Sequence, residues 1–248
     1  RGGHPSPLLD SGRAVKEREG ESMIIAERKP LDQIMAMLEP FKRICVLGCG
    51  TCVTVCMAGG QKEAEELAAL IGISRKKEKK DVEVTAFTIE RQCEFEFVDQ
   101  VAQQLKDCDV VLSLACGVGV QTLVERIPAL RVLPGLNTKF MGYPVEQGVW
   151  VERCLGCGDC ILHLTQGICP ITRCAKSILN GPCGGSSEGK CELSREIDCA
   201  WHLIHQRLTE LGRVGDLAVI QPPKDWSSAH HGGPRTIVRE DVRLDRRE

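Results

Sequence analysis

The stretch Ile44-Cys-Val-Leu47-Gly-Cys49-Gly-Thr-Cys52-Val-Thr-Val-Cys56 opens as an apolar run and passes at Gly48 into a loop that carries three cysteines. A short apolar run closed by glycine reads as a strand buried on both faces, the kind that parallel sheets hold under covering helices. The pattern then repeats. Strand-like runs at 82–88, 110–114 and 131–133 alternate with helical periods around 61–71, 95–106 and 118–126. That alternation predicts an α/β domain with a Rossmann-like parallel sheet. Five Phe, three Trp and one Tyr in 248 residues leave a core made of Ala, Val, Ile and Leu, which suits such a sheet.

Open parallel sheets bind ligands outside the carboxyl ends of their strands, where loops converge and helix N-termini point their N–H groups. Cysteines fall in those loops: Cys49, Cys52 and Cys56 after the first strand, Cys93 after the second and Cys116 after the third. We expect these five to supply one four-ligand metal site, a [4Fe–4S] cluster with one thiol left over, and Cys52 and Cys56 to share a helix face. Cys45, inside the first strand, and Cys108, at a helix end without companions, read as core thiols. Two rival readings compete for the first loop. Gly48-Cys-Gly50 begins like a dinucleotide loop, but Val53 stands where the third glycine belongs, and thiolates would repel a pyrophosphate. Cys49-Gly-Thr-Cys52 looks like a thioredoxin-type pair, yet a third cysteine one turn later is natural for a metal and unnecessary for that chemistry.

A second cysteine group occupies Cys154 to Cys199: Cys154, Cys157, Cys160, Cys169, Cys174, Cys183, Cys191 and Cys199. Its Cys-x2-Cys-x2-Cys opening and its Cys169-Pro170 resemble a ferredoxin, in which three close thiolates hold one [4Fe–4S] cluster and the Cys before Pro serves the other. Eight residues rather than three separate Cys160 from Cys169, so the pairing of cysteines with clusters stays open. Eight thiolates are what two cubane clusters need, and zinc in at least one site, disulfides or free thiols are the other uses of such a group.

The composition excludes several classes. A net charge of −2 gives no electrostatic footprint for nucleic acid, and the basic run 75–80 reads as a solvated loop. No segment approaches the ~18 uninterrupted apolar residues of a membrane span. Fifteen cysteines with no apolar leader, in a chain longer than most disulfide-stapled proteins, predict a reducing, cytoplasmic compartment with thiolates held on metal.

The expected organisation is a flexible extension at 1–22, a Rossmann-like α/β domain at 23–148, a small cysteine-rich, ferredoxin-like cluster-binding region at 149–212 and an extended C-terminal arm at 213–248. A short helix from Leu31 to Leu38 leads in. Ser194 is expected to cap a helix running to Leu211, whose stripe Ile197, Trp201, Ile204, Leu208 and Leu211 packs on the first domain. His163, His202 and His205 read as surface residues. The arm has Pro222, Pro223 and Trp226, with Ile237, Val238, Val242 and Leu244 too sparse for a core. It is expected to order against a partner by burying Trp226 and pairing Ile237–Val238 with a sheet edge.

Gly48-Cys-Gly-Thr-Cys52, Arg91-Gln-Cys93-Glu94, Ala115-Cys-Gly-Val-Gly-Val-Gln121, Gly167-Ile-Cys-Pro170, Asn180-Gly-Pro-Cys-Gly-Gly185 and Lys190-Cys-Glu192 together resemble the methylenetetrahydrofolate reductase C-terminal-domain family. The likeness runs from about Met23, where Met23-Ile-Ile-Ala-Glu-Arg-Lys-Pro30 looks like the family's usual start. It implies an accessory subunit that carries electrons from an iron–sulfur or flavin donor complex to the flavin of a separate reductase subunit. Family members are often described as zinc-containing, so the resemblance leaves iron and zinc both open. A zinc-stiffened scaffold and a thiol redox protein are the competing classes.

Overall fold

The computed structural model describes residues 23–146, 148–230, 233–239 and 241. The expected extension at 1–22, with Val242 and Leu244 of the arm, lies outside them. The chain divides into one unit that ends at Lys139 and another that begins at Phe140.

In the first unit the elements run β1 (Ile24–Arg28), α1 (Leu31–Leu38), β2 (Arg43–Cys49), α2 (Cys52–Val55), α3 (Gln61–Lys77), β3 (Glu83–Ile89), α4 (Phe95–Lys106), β4 (Val110–Leu114), α5 (Gly117–Arg126) and β5 (Val132–Pro134). The start of β6 (Leu136–Glu146) also belongs here. Four strands form a parallel sheet in the order β3-β2-β4-β5, so the fold is mixed α/β as the alternation predicts. Its central strands, β2 and β4, are buried along almost their whole length, because helices cover both faces. On one face Leu47, Val98, Leu105, Val111 and Leu123 interlock, and α3 buries Ala64, Leu67 and Ile71. The chain leaves β2 toward β3 and later returns to β4 on the other side. The carboxyl ends of β2 and β4 therefore flank the switch point where open α/β sheets hold ligands.

Two expectations change in this unit. The basic run at 75–80 is not a solvated loop at its start: α3 continues through Lys77 and buries Arg75, whose Nη1 stands 3.9 Å from Glu78. Cys108 is not without companions, since its thiol shares hydrogen bonds with the Cys45 thiol and the Thr85 hydroxyl. Strands beyond the parallel four also occur. β6 begins beside β1, where the Lys29 N–H donates to the Gly135 carbonyl at 2.9 Å and Lys139 Nζ stands 2.9 Å from Glu27.

The second unit takes β6 onward and pairs it antiparallel with β7 (Val149–Cys154), from Glu146 opposite Val149 to Met141 opposite Cys154. Then come α6 (Pro170–Arg173), β8 (Lys190–Cys191), β9 (Ser194–Asp198), α7 (Ala200–Glu210) and a 3₁₀ turn at Val214–Ala218. Ser194 caps no helix: residues 194–198 pair with β8, and Cys199 holds the N-cap position of α7. Trp201, Ile204 and Leu208 keep the expected stripe, whereas Ile197 and Leu211 are exposed. Ile168, Ile178 and Leu217 of the same unit cover that stripe.

The arm returns to its own unit. The Asn180 side chain makes a two-way pair with Gln221, accepting its N–H at 2.7 Å and donating to its carbonyl at 2.9 Å. Ser228 Oγ donates to the Cys157 carbonyl at 3.2 Å, and Arg235 Nη1 donates to the carbonyls of Gly156 at 2.9 Å and Ser228 at 2.7 Å. Residues 221–230 and 233–235 thus lie across the first cysteine loop, while Ile237 and Val238 are exposed and belong to no strand.

Candidate metal centre

At the carboxyl edge of the parallel sheet, Cys49 is the last residue of β2 and is buried, its N–H donating to the Gly59 carbonyl at 2.9 Å. Cys93 follows β3 in an exposed loop, and Cys116 holds the N-cap position of α5. The three are electrostatic neighbours. Burial first, then Cys49 and Cys116, push the Cys93 thiol up, because a thiolate there would sit in partly dry surroundings beside two like groups. A bound cation would reverse that balance. Cys52 opens α2, and Cys56 ends it. The Cys56 thiol is buried and faces the carbonyls of Ala26 at 3.7 Å and Val53 at 3.6 Å, and burial pushes it up.

Gln92, which the sequence reading passed over, caps the switch point. It is fully buried, donates to the carbonyls of Leu47 at 2.8 Å and Gly48 at 2.9 Å, and accepts from Ser113 Oγ at 2.6 Å. A glutamine between two cysteine motifs carries a signal, because a buried amide needs fixed partners. Gly119 lies against it, and a Cβ there would come within 2.9 Å of the Gln92 Cβ.

In the second unit the thiols occupy two places. Cys174 at the end of α6, Cys183 in the loop after Pro182, Cys191 in β8 and Cys199 at the start of α7 all line one cavity of about 20 Å³, together with Arg173 and Lys176. The β8–β9 ladder explains part of this convergence, since it folds Cys191 back beside the segment that leads to Cys199. Gly181 lies against the Trp201 ring, and a Cβ there would stand 2.3 Å from ring carbons, so the turn into Cys183 needs glycine.

The other place is the loop 154–160. Its glycines are required: Gly156 and Gly158 have φ of +62° and +86°, and a Cβ on Gly158 would meet the Ser228 carbonyl at 2.2 Å. The Gly156 N–H approaches Cys154 Sγ at 3.3 Å, and Cys157 Sγ lies 3.7 Å from the Asp159 carbonyl. Cys154 and Cys160 are exposed and Cys157 half-buried. Cys169 holds the N-cap position of α6, its Sγ 3.6 Å from Thr172 Oγ1.

Beside this loop is a larger cavity of about 290 Å³ whose wall includes Asp159, Ile161, Thr165, Pro170, Trp201 and Lys224. The Lys224 side chain is 1% exposed, with Nζ 3.0 Å from Asp159 Oδ2 and donating also to the Asp159 carbonyl.

Among the described residues no group of three or more His, Cys, Asp or Glu is gathered closely enough to hold a single metal ion. A cubane cluster spaces its ligands more widely, because each thiolate binds a different iron. Four thiols around one cavity are a donor set that fits such a group. His163, His202 and His205 are exposed.

Residues 133–227 match the family model described as "Methylene-tetrahydrofolate reductase C terminal". The match includes the eight cysteines from Cys154 to Cys199 and the arm as far as Ser227. No curated protein and no solved structure matches the chain. No helix among the described residues is long and apolar enough to cross a membrane.

Proposed function

We propose that this chain is an accessory iron–sulfur subunit of a methylenetetrahydrofolate reductase, similar to MetV, the small cysteine-rich subunit of the acetogen enzyme. It would take electrons from an iron–sulfur or flavin donor complex and pass them to the flavin of a separate catalytic subunit, in the cytoplasm and within the acetyl-CoA pathway. The observation that carries the reading is the convergence of Cys174, Cys183, Cys191 and Cys199 on one cavity inside the segment related to the reductase family. Bound [4Fe–4S] clusters would supply one-electron chemistry. The chain's own part is to hold thiols in glycine-rich loops and to present backbone N–H groups to sulfur, as Gly156 does to Cys154. Eight thiols of the second unit would hold two clusters. Cys49, Cys52, Cys93 and Cys116 would hold a third, with Cys56 as the thiol left over, since its sulfur faces backbone carbonyls.

Anaerobic analysis of iron, zinc and acid-labile sulfide in the isolated chain tests this. A brown protein with iron and sulfide in equal amounts, at about eight or more of each per chain, supports it. Zinc alone leaves the scaffold that joins reductase to donor, and thiols that are redox-active without metal leave the thiol protein.

A further inference from the structure

Two of the eight thiols of the second unit, Cys169 and Cys174, flank one short helix. α6 has only four helical residues, about 6 Å of rise. Cys169 stands immediately before it and Cys174 immediately after it. Cys174 lines the small cavity with Cys183, Cys191 and Cys199, and Cys169 does not. At the other end of the helix, Pro170 shares the wall of the larger cavity with Asp159 and Ile161, the two residues that flank Cys160. Cys169 is therefore next in chain to a residue that shares a wall with the first loop, and Cys174 is on the wall with the later cysteines.

From this geometry we infer that the thiols divide as Cys154, Cys157, Cys160 and Cys169 on one metal cluster and Cys174, Cys183, Cys191 and Cys199 on the other, with α6 as the partition and no ligand exchanged. The inference rests on the reading that these thiols hold iron–sulfur clusters, and goes beyond it. It also runs against the ferredoxin rule, in which the Cys before Pro crosses to the other cluster. The first set has its own cradle in support. Arm residues take the carbonyls of Gly156, Cys157 and Asp159 from outside, and the Gly156 N–H turns to the Cys154 sulfur.

Serine variants of the full chain, prepared anaerobically, test the division. Cys157→Ser and Cys183→Ser should each lose one cluster's iron, about four per chain, and a different electron paramagnetic resonance signal. Cys157→Ser with Cys169→Ser should lose no more than Cys157→Ser alone, while Cys183→Ser with Cys169→Ser should lose both clusters. The opposite pattern, with Cys169 additive to Cys157 and silent beside Cys183, overturns the division. A readout on the unmodified protein covers variants that fail to fold: clusters are removed stepwise with a chelator, and freed thiols are alkylated and mapped by mass. Cys169 should be labelled together with Cys154, Cys157 and Cys160. Labelling in step with Cys174 and Cys183 refutes the division while leaving the cluster reading intact, and an unmodified chain without iron or sulfide overturns both.

Discussion

Lys224→Met tests what holds the first cysteine loop. The native side chain is 1% exposed, and its Nζ reaches both the carboxylate of Asp159, at 3.0 Å, and its main-chain carbonyl. Methionine keeps the length and the apolar stem, so the packing against the cavity wall is nearly conserved. What is lost is a charge-assisted hydrogen bond, worth about 1.5–3 kcal/mol where water is excluded. Asp159 is 57% exposed, so its carboxylate rehydrates when the lysine is gone, and solvent screens part of the pair. The net loss is about 1–2 kcal/mol in the attachment of the arm, a factor of roughly 5–30 in its release. Hydrogen exchange on the full chain reads this directly. Amides at 156–160 and 221–229 should exchange about 5–30 times faster in the variant, and those of β2 and β4 at the unmodified rate. Unchanged exchange at 156–160 would show that the lysine does not secure the loop. Equal acceleration in the sheet would show a global effect instead of a local one.

Gly158→Ala should weaken the same attachment through strain, since φ is +86° and the new methyl would meet the Ser228 carbonyl; we expect about 1–3 kcal/mol, read as a lower thermal midpoint for the second unit. Gln92→Leu removes three buried hydrogen bonds at the switch point and should lower stability by about 1–3 kcal/mol in urea titrations of the first unit. Burial, with Cys108 next to it, pushes the Cys45 thiol up to about 12. An unfolded thiol ionises near 8.5, so the unfolded state binds fewer protons between those values. The stabilisation is complete below about pH 8.5 and declines as pH rises toward 12, by up to about 5 kcal/mol. Cys45→Val should flatten this alkaline decline in urea midpoints measured from pH 7 to 10.5, and an unaltered slope would show that the thiol stays ionisable.

The parallel sheet was legible because its signal is local: short apolar runs at 44–47 and 110–114 coincide with β2 and β4 to within a residue or two. The strands Leu136–Glu146 and Val149–Cys154 were not legible. Pro144 interrupts the run, which demotes a strand in any local reading, and only pairing with Trp150 across the ladder reveals it. The helix expected from Ser194 began late for a related reason. Ser194–Asp198 is held by a two-residue partner, and Cys199 is not a residue type that marks helix starts. The expectation of metal binding at 154–199 came from cysteine spacing, but the gathering of four of those thiols round one cavity depends on α6 and the β8–β9 ladder. The return of the arm left no mark at all, since Ser228, Arg235 and Lys224 reach main-chain carbonyls, which look the same in every sequence.

That return imposes an order in time. Lys224 and Arg235 follow the carbonyls they hold by 65 and 79 residues. At translation rates of about 5–20 residues per second, the loop leaves the ribosome roughly 3–16 s before its fastening does. During that interval Cys154, Cys157 and Cys160 stand on a loop that the arm has not yet closed. Formation of the loop and its fastening by the arm are thus separate events in synthesis, the second closing what the first leaves open.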